Sequence, residues 1–247
     1  MSAAANEGAN EGTSEVASRL RSIEQRIDAS CRRAGRPRSQ VTLVGASKVQ
    51  STDVLRAAFD AGLRTFGENR VQEAAAKAPR LPDGIDWHLI GPLQSNKARP
   101  AVELFSTIHS IDRLKIARAL DRVAGEEGVV RRGLLEVNVA AEPTKHGFAP
   151  AALDRELLEN LAELPHLEIV GLMAIPPFET DPEQARRWFR RLRQLAQEVG
   201  EIDLLPHWRA ELSMGMSGDF EVAVEEGAHY VRVGTALFGP RRPRGAA

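Results

Sequence analysis

Two hydrophobic periods take turns along the chain. Short aliphatic runs with little charge recur, and each is followed by a longer stretch whose apolar residues return every three or four positions. The first pattern is that of a strand buried on both faces, the second that of an amphipathic helix lying against it. Strands are expected in the run that ends at Lys48, then at 64–66, 86–90, 106–109, 133–139, 167–173, 209–213 (the weakest) and 229–233. Helices are expected between them: one capped by Ser51 or Thr52 and stopped by Gly62, one closed by Pro79, then 94–103, 112–123, 150–162, 181–199 and 217–226. Ahead of the first strand, Val16, Leu20, Ile23 and Ile27 share one helical face from Thr13 until Gly35 and Pro37 stop it. Being extra to the alternation, this helix is expected to pack across the outside or bottom of the domain.

About eight strand–helix alternations favour a parallel sheet. In 247 residues they favour a single closed (β/α)8 barrel of TIM type over the second choice, an open doubly wound sheet. The expected layout is a loose, disordered tail over 1–12, one domain over 13–239 and a flexible C-terminal tail over 240–247. A hydrophobic content of 43% with 27% charged residues fits a soluble globular protein, and a formal charge of -1 argues against a broad electrostatic grip on nucleic acid or anionic lipid. The start of the chain lacks the basic and apolar regions of a signal peptide and no run is long enough to span a membrane, so a cytoplasmic protein is expected. The single cysteine, Cys31, excludes an internal disulfide and reads as a core residue.

The candidate chemistry lies at strand ends. The first strand closes in a small residue, a hydroxyl and an ammonium, Ala46-Ser47-Lys48, at the edge where parallel α/β folds bind ligands. No Gly-x-Gly-x-x-Gly turn follows it, and no Walker-type loop occurs. Instead, Ser213-Met214-Gly215-Met216-Ser217-Gly218 follows the seventh strand and Gly234-Thr235 the eighth. In a barrel these loops commonly hold phosphate, and Ser213, Ser217 and Thr235 supply hydroxyls while the glycines permit close approach. The eighth strand pairs with the first, so a phosphorylated aldehyde held in those loops would reach Lys48 and form an imine. Arg232, among apolar neighbours on the eighth strand, is either a buried salt-bridge partner or a donor to a pyridine nitrogen.

The segments Val44-Gly45-Ala46-Ser47-Lys48, Phe66-Gly67-Glu68-Asn69-Arg70-Val71-Gln72-Glu73, His88 to Lys97, Gly171 to Pro176, Leu212 to Ser217 and Val231 to Gly239 occur in order. This series resembles the YggS/PROSC family of pyridoxal phosphate homeostasis proteins. The resemblance implies an alanine-racemase-like barrel of fold type III with pyridoxal 5′-phosphate (PLP) as a Schiff base on Lys48. It implies phosphate contacts from Ser213, Ser217, Gly234 and Thr235, Arg232 at the pyridine nitrogen and Asn69 near the ring. It also implies a role in vitamin B6 homeostasis as carrier or buffer without substantial catalysis, with no catalytic residues assigned and PLP-dependent apoenzymes as transient partners. Many relatives carry Tyr where this chain has Arg70, so no ring contact is carried over there. The segment from Asn138 through Glu142 and Lys145 to Gly147 keeps the family spacing, and Lys145 is a candidate for assisting PLP exchange.

Three other readings compete. A PLP-dependent amino-acid racemase needs a second acid/base, commonly tyrosine in this fold, and the one tyrosine, Tyr230, is expected to point away from the interior. A cofactor-free aldolase would use the same lysine and phosphate loops, whereas an interaction scaffold would need neither. His88 faces the pocket or is a hydrogen-bonded structural histidine; the remaining histidines lack metal-ligand spacing, and no metal is expected. The Arg186, Arg187, Arg190, Arg191 and Arg193 cluster reads as a solvated helix face, with an anionic-partner surface as the alternative. Lys97 and Arg99 are solvated or bind anions near the mouth. A monomer is expected.

Overall fold

In the computed structural model, which describes residues 3–142 and 144–240, every expected strand is present. The strands are β1 (Thr42–Ala46), β2 (Thr65–Glu68), β3 (Asp86–Leu89), β4 (Thr107–Ile111), β5 (Arg131–Glu136), β6 (Leu167–Met173), β7 (Glu211–Ser213) and β8 (Tyr230–Val233). They form a closed barrel in sequence order, all parallel, sealed where β8 pairs with β1. The open sheet is thereby excluded. The helices are α1 (Ala3–Arg33), α2 (Thr52–Asp60), α3 (Val71–Lys77), α4 (Ala98–Leu104), α5 (Leu114–Glu126), α6 (Arg155–Ala162), α7 (Pro182–Ile202), α8 (Phe220–Glu225) and the short α9 (Thr235–Phe238).

The two-residue alternation of the strands divides the core in two. Leu43, Phe66, Leu89, Val231 and Val233 point outward and pack with the helices, whereas Val44, Ile90, Leu134, Val170, Met173 and Tyr230 fill the barrel. Val44 pairs in register with Arg232, so β1 and β8 send Ala46 and Arg232 toward the same interior. This corrects the expectation for Tyr230. Two positions before Arg232, it shares the inward face rather than leaving it.

The helix expected from Thr13 begins at Ala3, so most of the segment read as a tail is helical; its alanines and glutamates favour that state. The tail expected over 240–247 lies, beyond residue 240, outside the described residues. Helix α1 lies on the outside of the barrel, where Arg26 pairs with Glu221 at 2.8 Å and Arg33 with Glu225 at 2.7 Å, both on α8. Cys31 is buried in the core, as its helical face predicts. Ser51 caps α2 through the amide of Val54, and Gly62 follows that helix at φ 111°, a conformation glycine accepts freely. Among the described residues no helix is long and apolar enough to cross a membrane.

The arginine cluster of α7 is built into the surface. Arg186 reaches Glu183, Glu225 and Glu226, while Arg190 and Arg193 also reach Glu226. These pairs tie α7 to α8. Arg99 is held in the same way by Glu126 at the end of α5 and by Glu127, which follows it.

Candidate cofactor site at the barrel mouth

Lys48 follows β1 by two residues, where the chain turns at the mouth of the barrel, and is partly buried. Beside it, Val49 has φ 59°, a left-handed conformation that is costly for a β-branched residue. Its amide donates to Glu73 Oε1 at 2.6 Å. A buried network fixes the other side of Lys48. Ser47 Oγ donates to Glu68 Oε1 at 2.8 Å, and Lys77 Nζ donates to Glu68 Oε1, to Glu73 Oε1 and to the Ser47 carbonyl. Burial pushes the Glu68 carboxyl up while Lys77 opposes the shift. Glu68, Glu73 and Lys77 were not assigned a role from sequence; the helical spacing of Glu73 and Lys77 was the available signal.

The loops after β7 and β8 meet through one hydroxyl. Ser217 Oγ accepts from the amides of Gly234 and Ala236, each at 3.2 Å. It is not a helix cap, since α8 starts after Asp219, and the helix expected from Ser217 is shorter at both ends. Two backbone donors thus converge on one oxygen beside exposed Thr235. A side chain at Gly234 would come within 3.5 Å of Ala46 at the end of β1.

Ser213 lies elsewhere. Its fully buried Oγ accepts from Arg232 Nη1 and sits 2.7 Å from His109 Nδ1, so the structure groups it with Arg232 rather than with the phosphate loops. Arg232 Nη2 donates to the carbonyl of Ala174 at 2.9 Å. Burial lowers the Arg232 pKa to about 10, and the carboxylates of Glu136 and Asp219 work against that shift. The guanidinium stays charged at neutral pH. Glu136, at the end of β5, is itself raised by burial and by the neighbouring Asp112. Its place as the one charged residue in the run Gly133-Leu134-Leu135-Glu136-Val137 was the signal that could have singled it out.

Asn69 follows β2 and is half-buried; a side chain at Gly91 would come within 2.5 Å of its carbonyl oxygen, so only glycine admits that approach. Arg70 is exposed. His88 lies below the mouth, between Asp86 and His109. Lys145 Nζ pairs with Glu142 at 2.6 Å and reaches the Ile175 carbonyl at 3.3 Å, while both ends of the Asn138 amide hold the backbone of Glu142. Among the described residues no group of three His, Cys, Asp or Glu side chains is placed to hold a metal ion.

A closed barrel with a lysine, an arginine and convergent amides at its β8–β1 seam defines a class, and the family described as alanine racemase, N-terminal domain, matches residues 19–242. An alanine racemase from Clostridium difficile shares this fold with a TM-score of 0.64 at 13% identity, over 94% of this chain and 57% of that one. Within the class, a pyridoxal phosphate homeostasis protein of Aquifex aeolicus is 45% identical over 227 residues, covering 91% of this chain and 97% of the relative. PipY of Synechococcus elongatus PCC7942, solved with PLP bound, is 42% identical with a TM-score of 0.78, over 91% of this chain and 100% of that one. The chain belongs to the pyridoxal phosphate homeostasis protein family, as its series of motifs implied.

Proposed function

We propose that this chain binds PLP covalently through the Lys48 amine and acts in the cytoplasm as a carrier or buffer of vitamin B6, without substantial turnover. The carrying observation is the convergence at the β8–β1 seam of the Lys48 strand end, Arg232, and the Gly234 and Ala236 amides on Ser217. These residues fit the group. The amides already surround one oxygen, Thr235 adds a hydroxyl at the surface, and the space at Gly234 is bounded by Ala46 alone among the contacts a side chain would make. PLP supplies an aldehyde for attachment and a ring that withdraws electrons. Lys48 would hold it, with Ser217, Gly234 and Thr235 at the phosphate, Arg232 with Ser213 at the ring nitrogen, and Asn69 beside the ring. A cationic Arg232 keeps that nitrogen unprotonated, which weakens electron withdrawal and suits retention over turnover.

Tyr230 supports a non-catalytic role. Its hydroxyl donates to Glu211 Oε2 at 2.7 Å, at the end of the barrel opposite Lys48, where it supplies no second acid/base. The protein acts as a monomer that meets PLP-dependent apoenzymes transiently, and Lys145 assists exchange at the mouth.

The test is the absorption spectrum of purified protein beside Lys48→Ala, before and after borohydride reduction, with mass spectrometry locating the adduct. A visible band in wild type alone, with the reduced adduct on Lys48, is expected. A protein that stays colourless and adduct-free after incubation with PLP overturns the proposal in favour of a sugar-phosphate aldolase. Rapid racemisation of an amino acid by the loaded protein overturns the carrier role alone.

A further inference from the structure

A single file of hydrogen-bonding groups crosses the barrel interior beneath the mouth. Asp86 opens β3 at the base and is half exposed, with its other oxygen held by Ser106. Its Oδ2 is 2.9 Å from His88 Nε2, His88 Nδ1 is 2.9 Å from His109 Nε2, His109 Nδ1 is 2.7 Å from Ser213 Oγ, and Ser213 Oγ accepts from Arg232. His88, His109, Ser213 and Arg232 are at most 4% exposed. Water therefore has little access to the middle of the chain.

We propose that His88 and His109 are positioning residues that carry the demand of the Asp86 carboxylate across the barrel to Ser213 and Arg232. The protons along the file can be counted from its lower end. An ionised carboxylate only accepts, so His88 carries a proton on Nε2, and with that proton alone it offers Nδ1 as an acceptor. His109 then donates through Nε2 and accepts at Nδ1. Ser213 donates its hydroxyl proton to that nitrogen, which leaves its lone pairs to Arg232. Each of the four groups above Asp86 is fixed by the one below it, and His109 is neutral. Burial, with Arg232 and Arg132 nearby, holds His109 well below its ordinary value, in keeping with that state. The charged and titratable groups around the pair are Asp86 on β3, Arg132 on β5, Glu211 on β7, and Tyr230 and Arg232 on β8; the Tyr230 ring stands edge-on to both imidazoles at 5.7 and 5.0 Å. A base-side carboxylate thereby sets the orientation of the guanidinium at the mouth.

The consequence for PLP rests on the binding proposed above, whereas the proton arrangement does not, so two measurements separate them. In ligand-free protein with ¹⁵N-labelled histidine, NMR distinguishes the two ring tautomers. His109 is expected as the Nε2–H form in wild type and shifted toward Nδ1–H in Asp86→Asn, whose amide donates to His88 when its oxygen takes the Ser106 hydroxyl. In PLP titrations, Asp86→Asn and Ser213→Ala are each expected to weaken affinity about tenfold, the double variant losing no more than the worse single one. A His109 that is Nδ1–H in wild type overturns the relay. So does an Asp86→Asn protein with wild-type tautomer and affinity, even if its melting temperature falls. Wild-type protein that takes up no PLP defeats the binding role, and the NMR alone then decides the relay.

Discussion

Lys77 closes on Glu68 at 2.7 Å, Nζ to Oε1, inside the wall that carries Lys48. The Glu68 side chain is fully buried and that of Lys77 is 11% exposed, so neither charge has a substitute partner in water. Removing Lys77 strands Glu68, whereas Lys77 would keep Glu73 and the Ser47 carbonyl if Glu68 were removed. Lys77→Met is expected to cost about 3–5 kcal/mol in urea unfolding, and the double variant Lys77→Met with Glu68→Gln to recover part of it. A loss below about 0.5 kcal/mol in the single variant would mean that the pair is solvated.

Ser217 is predicted to matter through phosphate. Ser217→Ala withdraws the oxygen on which the Gly234 and Ala236 amides converge, and should weaken PLP about tenfold while leaving phosphate-free pyridoxal unaffected. Equilibrium titration with both compounds checks this. Equal losses for the two would place the hydroxyl at the ring instead.

Stability should depend on pH through His109. Its pKa in the folded protein is well below the ordinary 6.5 because burial disfavours the cation. The unfolded chain then binds the extra proton first, so this contribution is fully present above about pH 6.5 and is lost as pH falls toward the folded value, by up to about 1.4 kcal/mol per unit. Urea midpoints from about pH 7.5 to 5.5 should fall in wild type and fall less in His109→Gln. Parallel curves would assign the dependence to another group.

Tyr230→Phe separates support from chemistry. Losing the hydroxyl that Glu211 accepts should cost about 1–2 kcal/mol, with Arg132 still pairing Glu211 at 2.7 Å. PLP uptake, followed by its visible band, should be unchanged. A lost band would give Tyr230 a place at the cofactor.

Much of this architecture was legible because parallel strands announce themselves. The run Leu167–Met173 is the observed β6 without adjustment, since both its faces are buried and Glu168 alone interrupts the apolar run. Strand 5 was expected too late, because Val137 leaves the ladder to form an isolated bridge with Phe148. The position of Lys48 and of the glycine loops at the barrel mouth was readable from their strand ends. The His88–His109 file was not, because it depends on the register between β3 and β4, which no local pattern encodes. The partners of Ser217 were hidden for the same reason. Its bonds run to residues 17 and 19 positions away, while capping is a signal of three.

The seam between β1 and β8 has a consequence in time. Lys48 leaves the ribosome early, whereas Arg232 and the Gly234 turn are among the last parts of the barrel to emerge. The pocket cannot exist on a growing chain, because its two halves meet only when β8 docks against β1 and α1 is in place beside α8. On the binding proposed above, cofactor capture is therefore a post-translational event, and a truncated product that retains Lys48 but lacks β8 would carry the amine without the proposed cradle.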